Sequence, residues 1–318
     1  MRHPAAARAP DSGPGTRPRE YALLVFVNGT TSKTSANVPG PERESVTPNP
    51  MNPLASPEPW SLVAEGYQET TRLFLELYSL SGLERVSYDV DTEVVDVACG
   101  PGTTSLLLAP QVKRIACVDF AEGMLAQLNR NLTEAGITNV ECHLADGQHL
   151  PFDDGCFDLA VSMFGLMFFK DRGRGFREIH RVLRPGGRVL VSSWAPIALS
   201  PAMQLLFHAL AAADPTRPEP QADITSLENP EVFERELRDA GFSEVKVDAV
   251  EHAMEVHSAE EFWQELVRGA APMALLRQKL GEPEWARQEE IALDYLRGEL
   301  TELPTRLGAT AYLAVGKR

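Results

Sequence analysis

Beyond residue 60 the hydrophobic positions follow two alternating periods. Around Trp60 they fall at helical spacing, Leu62, Val63 and Tyr67, then Leu73, Phe74, Leu77, Tyr78 and Leu80, closing near Gly82; this predicts one or two amphipathic helices. Short apolar runs follow at 93–97, 114–118, 140–144, 157–163 and 188–193, and helical segments lie between them at 103–109, 121–135 and 172–183. Such alternation predicts a parallel sheet with helices on both faces. Farther on, 230–240 reads as a helix closed by Gly241, "SEVKVDAV" as a strand and the terminal "GATAYLAVGK" as another. The stretch between those two strands, about 258–300, is rich in Glu, Leu, Ala and Arg and reads as a helical insertion. The expected fold is α/β, doubly wound, with a mostly parallel seven-stranded sheet and a cap made of the insertion and the Trp60 helices.

The first 58 residues do not share this patterning. Prolines crowd the run from Pro39 to Pro59, and no hydrophobic period is sustained, so too little surface is buried to offset chain entropy. A disordered tail over 1–58, followed by one folded domain over 59–318, is the expected division. The apolar run "YALLVFV" at 21–27 is short for a secretory segment and sits behind charged, proline-containing sequence, so it reads as a sticky stretch within the tail. Because folded-looking sequence begins just after it, Met51 is a candidate translation start.

The whole chain carries 45 acidic against 30 basic side chains, a formal net charge of -15. An average surface of that sign repels nucleic acid and anionic lipid, which makes both unlikely as general partners. Cys99, Cys117, Cys142 and Cys156 lack the C-x-x-C spacing of zinc or redox sites, so they read as reduced thiols of a cytoplasmic protein with no metal. No apolar stretch reaches the roughly 20 residues that span a bilayer.

The run "VVDVACGPGTT" at 94–104 ends a buried strand abruptly on two glycines. In an open parallel sheet, ligands bind beyond the carboxyl ends of the strands, where the strand order reverses. Gly100 and Gly102 remove side chains that would hold a ligand off the backbone, and Thr103 and Thr104 open a helix with free amide groups. A tight turn with no ligand fits the same residues. A dinucleotide fingerprint would need a third glycine where Ser105 stands, and Asp96 is foreign to it.

"VVDVACGPG" resembles the first motif of class I S-adenosylmethionine-dependent methyltransferases. "CVDFAEGML" resembles their second-strand motif, and "LADGQHLPFDDGCFDLAVSMFGLMFF" resembles the segment from the adenine contact to the fourth strand. "REIHRVLRPGGRVLVSSW" is similar to the turn and fifth strand of the subgroup that includes ubiquinone and menaquinone C-methyltransferases. The resemblance covers about 60–194 well and the C-terminal third only in outline. It implies the Rossmann-like methyltransferase fold and S-adenosyl-L-methionine as cofactor.

It also implies a set of binding residues. Asp119 would accept hydrogen bonds from the ribose hydroxyls; as a plain helix cap it is equally well suited chemically. Asp146 would meet the adenine amino group, with Gly147 and Gln148 shaping that edge, against the plain reading of an Asp-Gly turn. Phe120 and Met124, next to Asp119, belong to the same pocket. Asp96, Ala98, Gly100 and Gly102 would surround the methionyl part, the backbone at Ser162 and Met163 would meet its amino group, and Tyr67 would approach from the N-terminal helix. His143, His149 and His180 offer no convincing base, so the catalytic side chain is unassigned. Met163, Phe164, Leu166, Met167 and Phe168 point to a small apolar or aromatic acceptor, whose atom of attack, carbon, oxygen or nitrogen, stays open. The Trp60 helices, residues 195–228 and the insertion are expected to close over that acceptor. The alternatives are an inactive cofactor-binding partner protein and another nucleotide-dependent enzyme on the same scaffold.

Overall fold

The structure, a computed structural model, describes residues 52–217 and 226–318. The readings of the tail over 1–51, including the apolar run at 21–27 and Met51, lie outside the described residues. The tail boundary drawn at 58 is too late, because Pro53–Ala55 forms a 3-10 turn capped by Asn52 and Leu54 is buried. The Trp60 indole N–H donates to the Leu54 carbonyl at 2.9 Å and ties this turn to the helix that follows.

Among the described residues, seven strands form one sheet in the order β3-β2-β1-β4-β5-β7-β6. They are β1 (Glu93–Val97), β2 (Arg114–Asp119), β3 (Val140–Leu144), β4 (Phe157–Ser162), β5 (Leu183–Trp194), β6 (Ser243–Val256) and β7 (Thr305–Lys317). The first five run parallel, and β7 is antiparallel to both β5 and β6. The order reverses at β1, which lies between β2 and β4, so the crevice expected of such a sheet opens above β1. Strand β1 is apolar at Val94, Val95 and Val97, all fully buried, because both faces of the sheet are covered.

One face packs α5 (Arg172–Val182) and α7 (Pro230–Asp239) around Phe176, Ile179, Phe233 and Leu237. The other packs α3 (Thr103–Leu108) and α4 (Glu122–Ala135) through Leu108, Leu128 and Leu132, with Leu83 joining from the end of α2 (Thr71–Leu83). Helix α1 (Glu58–Glu69) precedes α2 and lies against α4. The insertion resolves into α8 (Ala259–Arg268), α9 (Ala271–Leu280) and α10 (Glu282–Glu299), and its first helix starts where the Ser258 hydroxyl accepts the Glu261 N–H. These three share a separate core with α6 (Pro201–Ala213), centred on Phe262, Trp263 and Trp285.

Tyr78 on α2 joins the helices to the antiparallel end of the sheet. Its hydroxyl donates to the Ala309 carbonyl at 2.6 Å, and its ring meets Phe164 and Trp194 edge-on. Tyr78→Phe is expected to lower unfolding stability by about 1 kcal/mol, since it strands a buried carbonyl while keeping the ring. Urea denaturation checks this; an unchanged midpoint would show that the carbonyl finds another partner.

Candidate active site

The loop after β1 turns over the end of β2. Gly100 and Gly102 adopt left-handed conformations at φ 56° and 88°, and a Cβ on Gly102 would collide with Leu128. Backbone bonds close the turn: Gly102 N–H to the Cys99 carbonyl at 3.0 Å and Cys99 N–H to the Val118 carbonyl at 3.1 Å. The Asn131 side chain holds it from α4 by donating to the Pro101 carbonyl at 2.9 Å.

The Asp119 carboxylate is buried at the end of β2 and accepts two backbone N–H groups. Gly100 donates to Oδ2 at 2.8 Å and Ala121 to Oδ1 at 2.9 Å. It therefore binds the glycine loop and the approach to α4 and does not cap the first turn of that helix. Each oxygen keeps further acceptor capacity. Asp96, one strand over, is also buried and accepts the Ser105 hydroxyl at 2.6 Å. Ser105, standing where a dinucleotide fingerprint wants its third glycine, thus secures the loop from behind. Thr103 and Thr104 are buried as well, and the Thr104 hydroxyl pairs with Ser79 of α2 at 2.9 Å.

Burial raises both carboxyls. Asp119 is pushed up to about 6, with its backbone hydrogen bonds opposing the shift. Asp96 is pushed up to about 7; burial is the largest cause, the Ser105 bond opposes it and the Asp119 charge adds to it. Burial, with the Asp119 charge beside it, also drives the Tyr67 phenol upward, so that group stays neutral.

Above the loop lies a cavity. Tyr67, Ala98, Gly100, Asp119, Phe120, Met124, Asp146, Gly147, Gln148 and Met163 all line it. Asp96, Gly102 and Ser162 do not reach its surface and lie behind the wall. Asp146 is exposed and folds its carboxylate onto its own turn, accepting the Gln148 N–H at 2.8 Å. Gly147 is required by close approach, since a Cβ there would stand 2.6 Å from Phe169 and 2.8 Å from Val97.

Ala55, Gly165, Phe169 and Lys170, for which the sequence names no cavity role, also line the cavity, as does Trp60 of the helix expected to close over it. The Trp60 and Phe168 rings meet at 4.9 Å and wall one side. An aromatic pair directly after an apolar strand, in "GLMFFK", was the available signal for Phe169 and Lys170. Among the described residues, no histidine or cysteine lines the cavity, and the lining residues fall between Ala55 and Lys170. The insertion does not reach the cavity. Ala271, Ala274 and Leu275 of α9 instead pack with Trp60 and Tyr67 on α1, so the cap backs the helix that closes the site.

Residues 95–191 match the family described as a methyltransferase domain. A demethylmenaquinone methyltransferase of Corynebacterium kroppenstedtii is 32% identical over 164 residues, covering 48% of this chain and 69% of its own. One from Clavibacter sepedonicus is 34% identical over 137 residues, covering 42% of this chain and 55% of its own. The chain thus spans about half the length of the Clavibacter relative. The YcgJ protein from a Bacillus shares the fold, with a TM-score of 0.50, 19% identity, and coverage of 76% of this chain and 98% of its own. The chain belongs to the class I S-adenosylmethionine-dependent methyltransferases, in the region of that family similar to menaquinone methyltransferases.

The raised Asp96 carboxyl has a consequence for stability. Its folded value of about 7 lies above the ordinary 3.8, so its contribution is fully present below about pH 4 and is lost as pH rises through 7. Asp96→Asn, which stays neutral, is therefore expected to gain stability relative to wild type between pH 4 and pH 8. Paired urea titrations at the two pH values measure this; a difference independent of pH would mean that Asp96 ionises freely in the folded protein.

Proposed function

We propose that this protein transfers a methyl group from S-adenosylmethionine to a small apolar or aromatic acceptor by in-line displacement. The observation that carries this is the division of one cavity between a buried carboxylate with acceptor capacity to spare, Asp119, and a wall of Trp60, Tyr67, Met163, Phe164 and Phe168. When bound, S-adenosylmethionine supplies an electrophilic methyl group on a sulfonium.

The chain's own residues then bind, orient and exclude water. Asp119 accepts the ribose hydroxyls, a charge-assisted and geometrically selective contact. Asp146 takes the adenine amino group at the cavity rim, while Phe120 and Met124 flank the adenosine. Ala98 and Gly100 lie along the methionyl part, and Tyr67 covers it from α1. Asp96, Gly102 and Ser162 serve from behind the wall, and the backbone at Met163 receives the amino group.

The rate enhancement rests chiefly on alignment of acceptor, methyl and sulfur and on the exclusion of water. The apolar wall selects an acceptor of the same character. The curated relatives are named for demethylmenaquinone, which fits a ring acceptor.

Incubating the protein and labelled S-adenosylmethionine with host metabolite extract is expected to put label into an apolar aromatic product. Binding without any labelled product would instead favour an inactive binding partner. Asp119→Ala is expected to weaken S-adenosylmethionine binding by about 1–3 kcal/mol by calorimetry; unchanged affinity removes Asp119 from the ribose site.

A further inference from the structure

Phe164, directly after β4 and Met163, has a left-handed backbone at φ 59°. For a bulky residue this is a strained conformation, and strain of this kind persists only where the surroundings enforce it. One enforcing contact is polar. The Phe164 N–H donates to the hydroxyl of Ser192 at 2.8 Å, and Ser192, on β5, is fully buried. The other is the ring, held 4.5 Å from Trp194 and edge-on to Tyr78.

Peptide planarity gives this bond a direction. In a trans peptide the carbonyl of Met163 points opposite to the N–H of Phe164. The N–H is turned toward β5, away from the cavity that Met163, Phe164 and Gly165 all line, while Ser192 stays outside that lining. The Met163 carbonyl is thereby turned away from β5, to the side of β4 on which β1 lies. Rotating this one peptide by half a turn would reverse both groups and return Phe164 to an ordinary negative φ. The strain therefore favours the rotated form, and the Ser192 hydroxyl opposes it.

We infer that Ser192 is a positioning residue for cofactor binding: by accepting the Phe164 N–H it keeps the Met163 carbonyl aimed into the cavity as an acceptor for the ammonium group of the methionyl end. This rests on the S-adenosylmethionine reading above. Ser192 touches no ligand; it acts through one peptide group. The adenosine end, held by Asp119 and Asp146 on the other side of β1, is independent of it.

Calorimetric titration of wild type, Ser192→Ala and Ser192→Cys with two compounds separates these ends. S-adenosylmethionine carries the amino-acid part, and 5′-methylthioadenosine keeps the adenosine and sulfur without it. Ser192→Ala is expected to weaken S-adenosylmethionine about tenfold or more, the scale of a lost charge-assisted bond, and to leave 5′-methylthioadenosine within about twofold. Ser192→Cys, with a poorer acceptor in nearly the same volume, is expected to fall between, and it carries the comparison if the alanine variant does not fold. Equal losses for both compounds would mean general damage to the site and overturn the inference, as would no loss for either. Wild type that binds neither compound sinks the cofactor reading itself, and this one with it.

Discussion

A hydrogen bond from the Gly100 N–H to the Asp119 carboxylate joins the loop after β1 to the end of β2. The rest of the site depends on it because it sets two surfaces at once. It holds a left-handed turn that has no side chain on its ligand face, and it keeps a carboxylate buried at the cavity wall although burial raises that group to about 6. The turn cannot drift, because Asn131 holds it from α4 and Ser105 anchors its far side to Asp96. Two acidic groups buried this close disfavour ionisation, so the site favours whatever brings positive charge or hydrogen-bond donors to it. A compound with a ribose diol at one end and a sulfonium and an ammonium near the other meets both demands.

The remaining walls divide the work of closure. Helix α1 brings Trp60 and Tyr67 over the cavity, and it sits close to α4: Gly123 leaves room for the Ser61 backbone and donates its N–H to the Ser61 hydroxyl at 3.2 Å. Behind α1 stands α9, so the separate core of α6 and α8–α10 supports the closing helix and not the ligand. Variation in that cap would then tune how firmly α1 closes over the cavity. Such a division explains how the C-terminal third can resemble its relatives only in outline around a nucleotide site that keeps its motifs.

Much of this was legible in the sequence where local chemistry and tertiary role coincide. The runs at 93–97 and 140–144 and the glycine turn at 100–102 are strands and loop as read: β1 is buried between its neighbours and mostly apolar, β3 is a partly exposed edge strand, and the turn demands glycine. The strand read at 243–250 extends to Val256, since an edge strand half open to solvent has no sharp apolar boundary. The helix at 201–213 went unread within a stretch assigned only a closing role, its apolar faces being satisfied by a cap core that no local pattern reveals. Ala55 was invisible as a cavity residue because its place depends on how α1 packs. Ser192 carried no signal at all, as its bond to the Phe164 N–H joins β5 to the segment after β4 and depends on the tertiary fold.

The most direct measurement is a crystal structure of the protein grown with saturating S-adenosylmethionine. The account requires the ribose diol within about 2.5–2.7 Å of the Asp119 oxygens, with the Gly100 bond intact and the adenine lying toward Asp146. An unfilled cavity under those conditions, or a ribose bound away from Asp119, would contradict it.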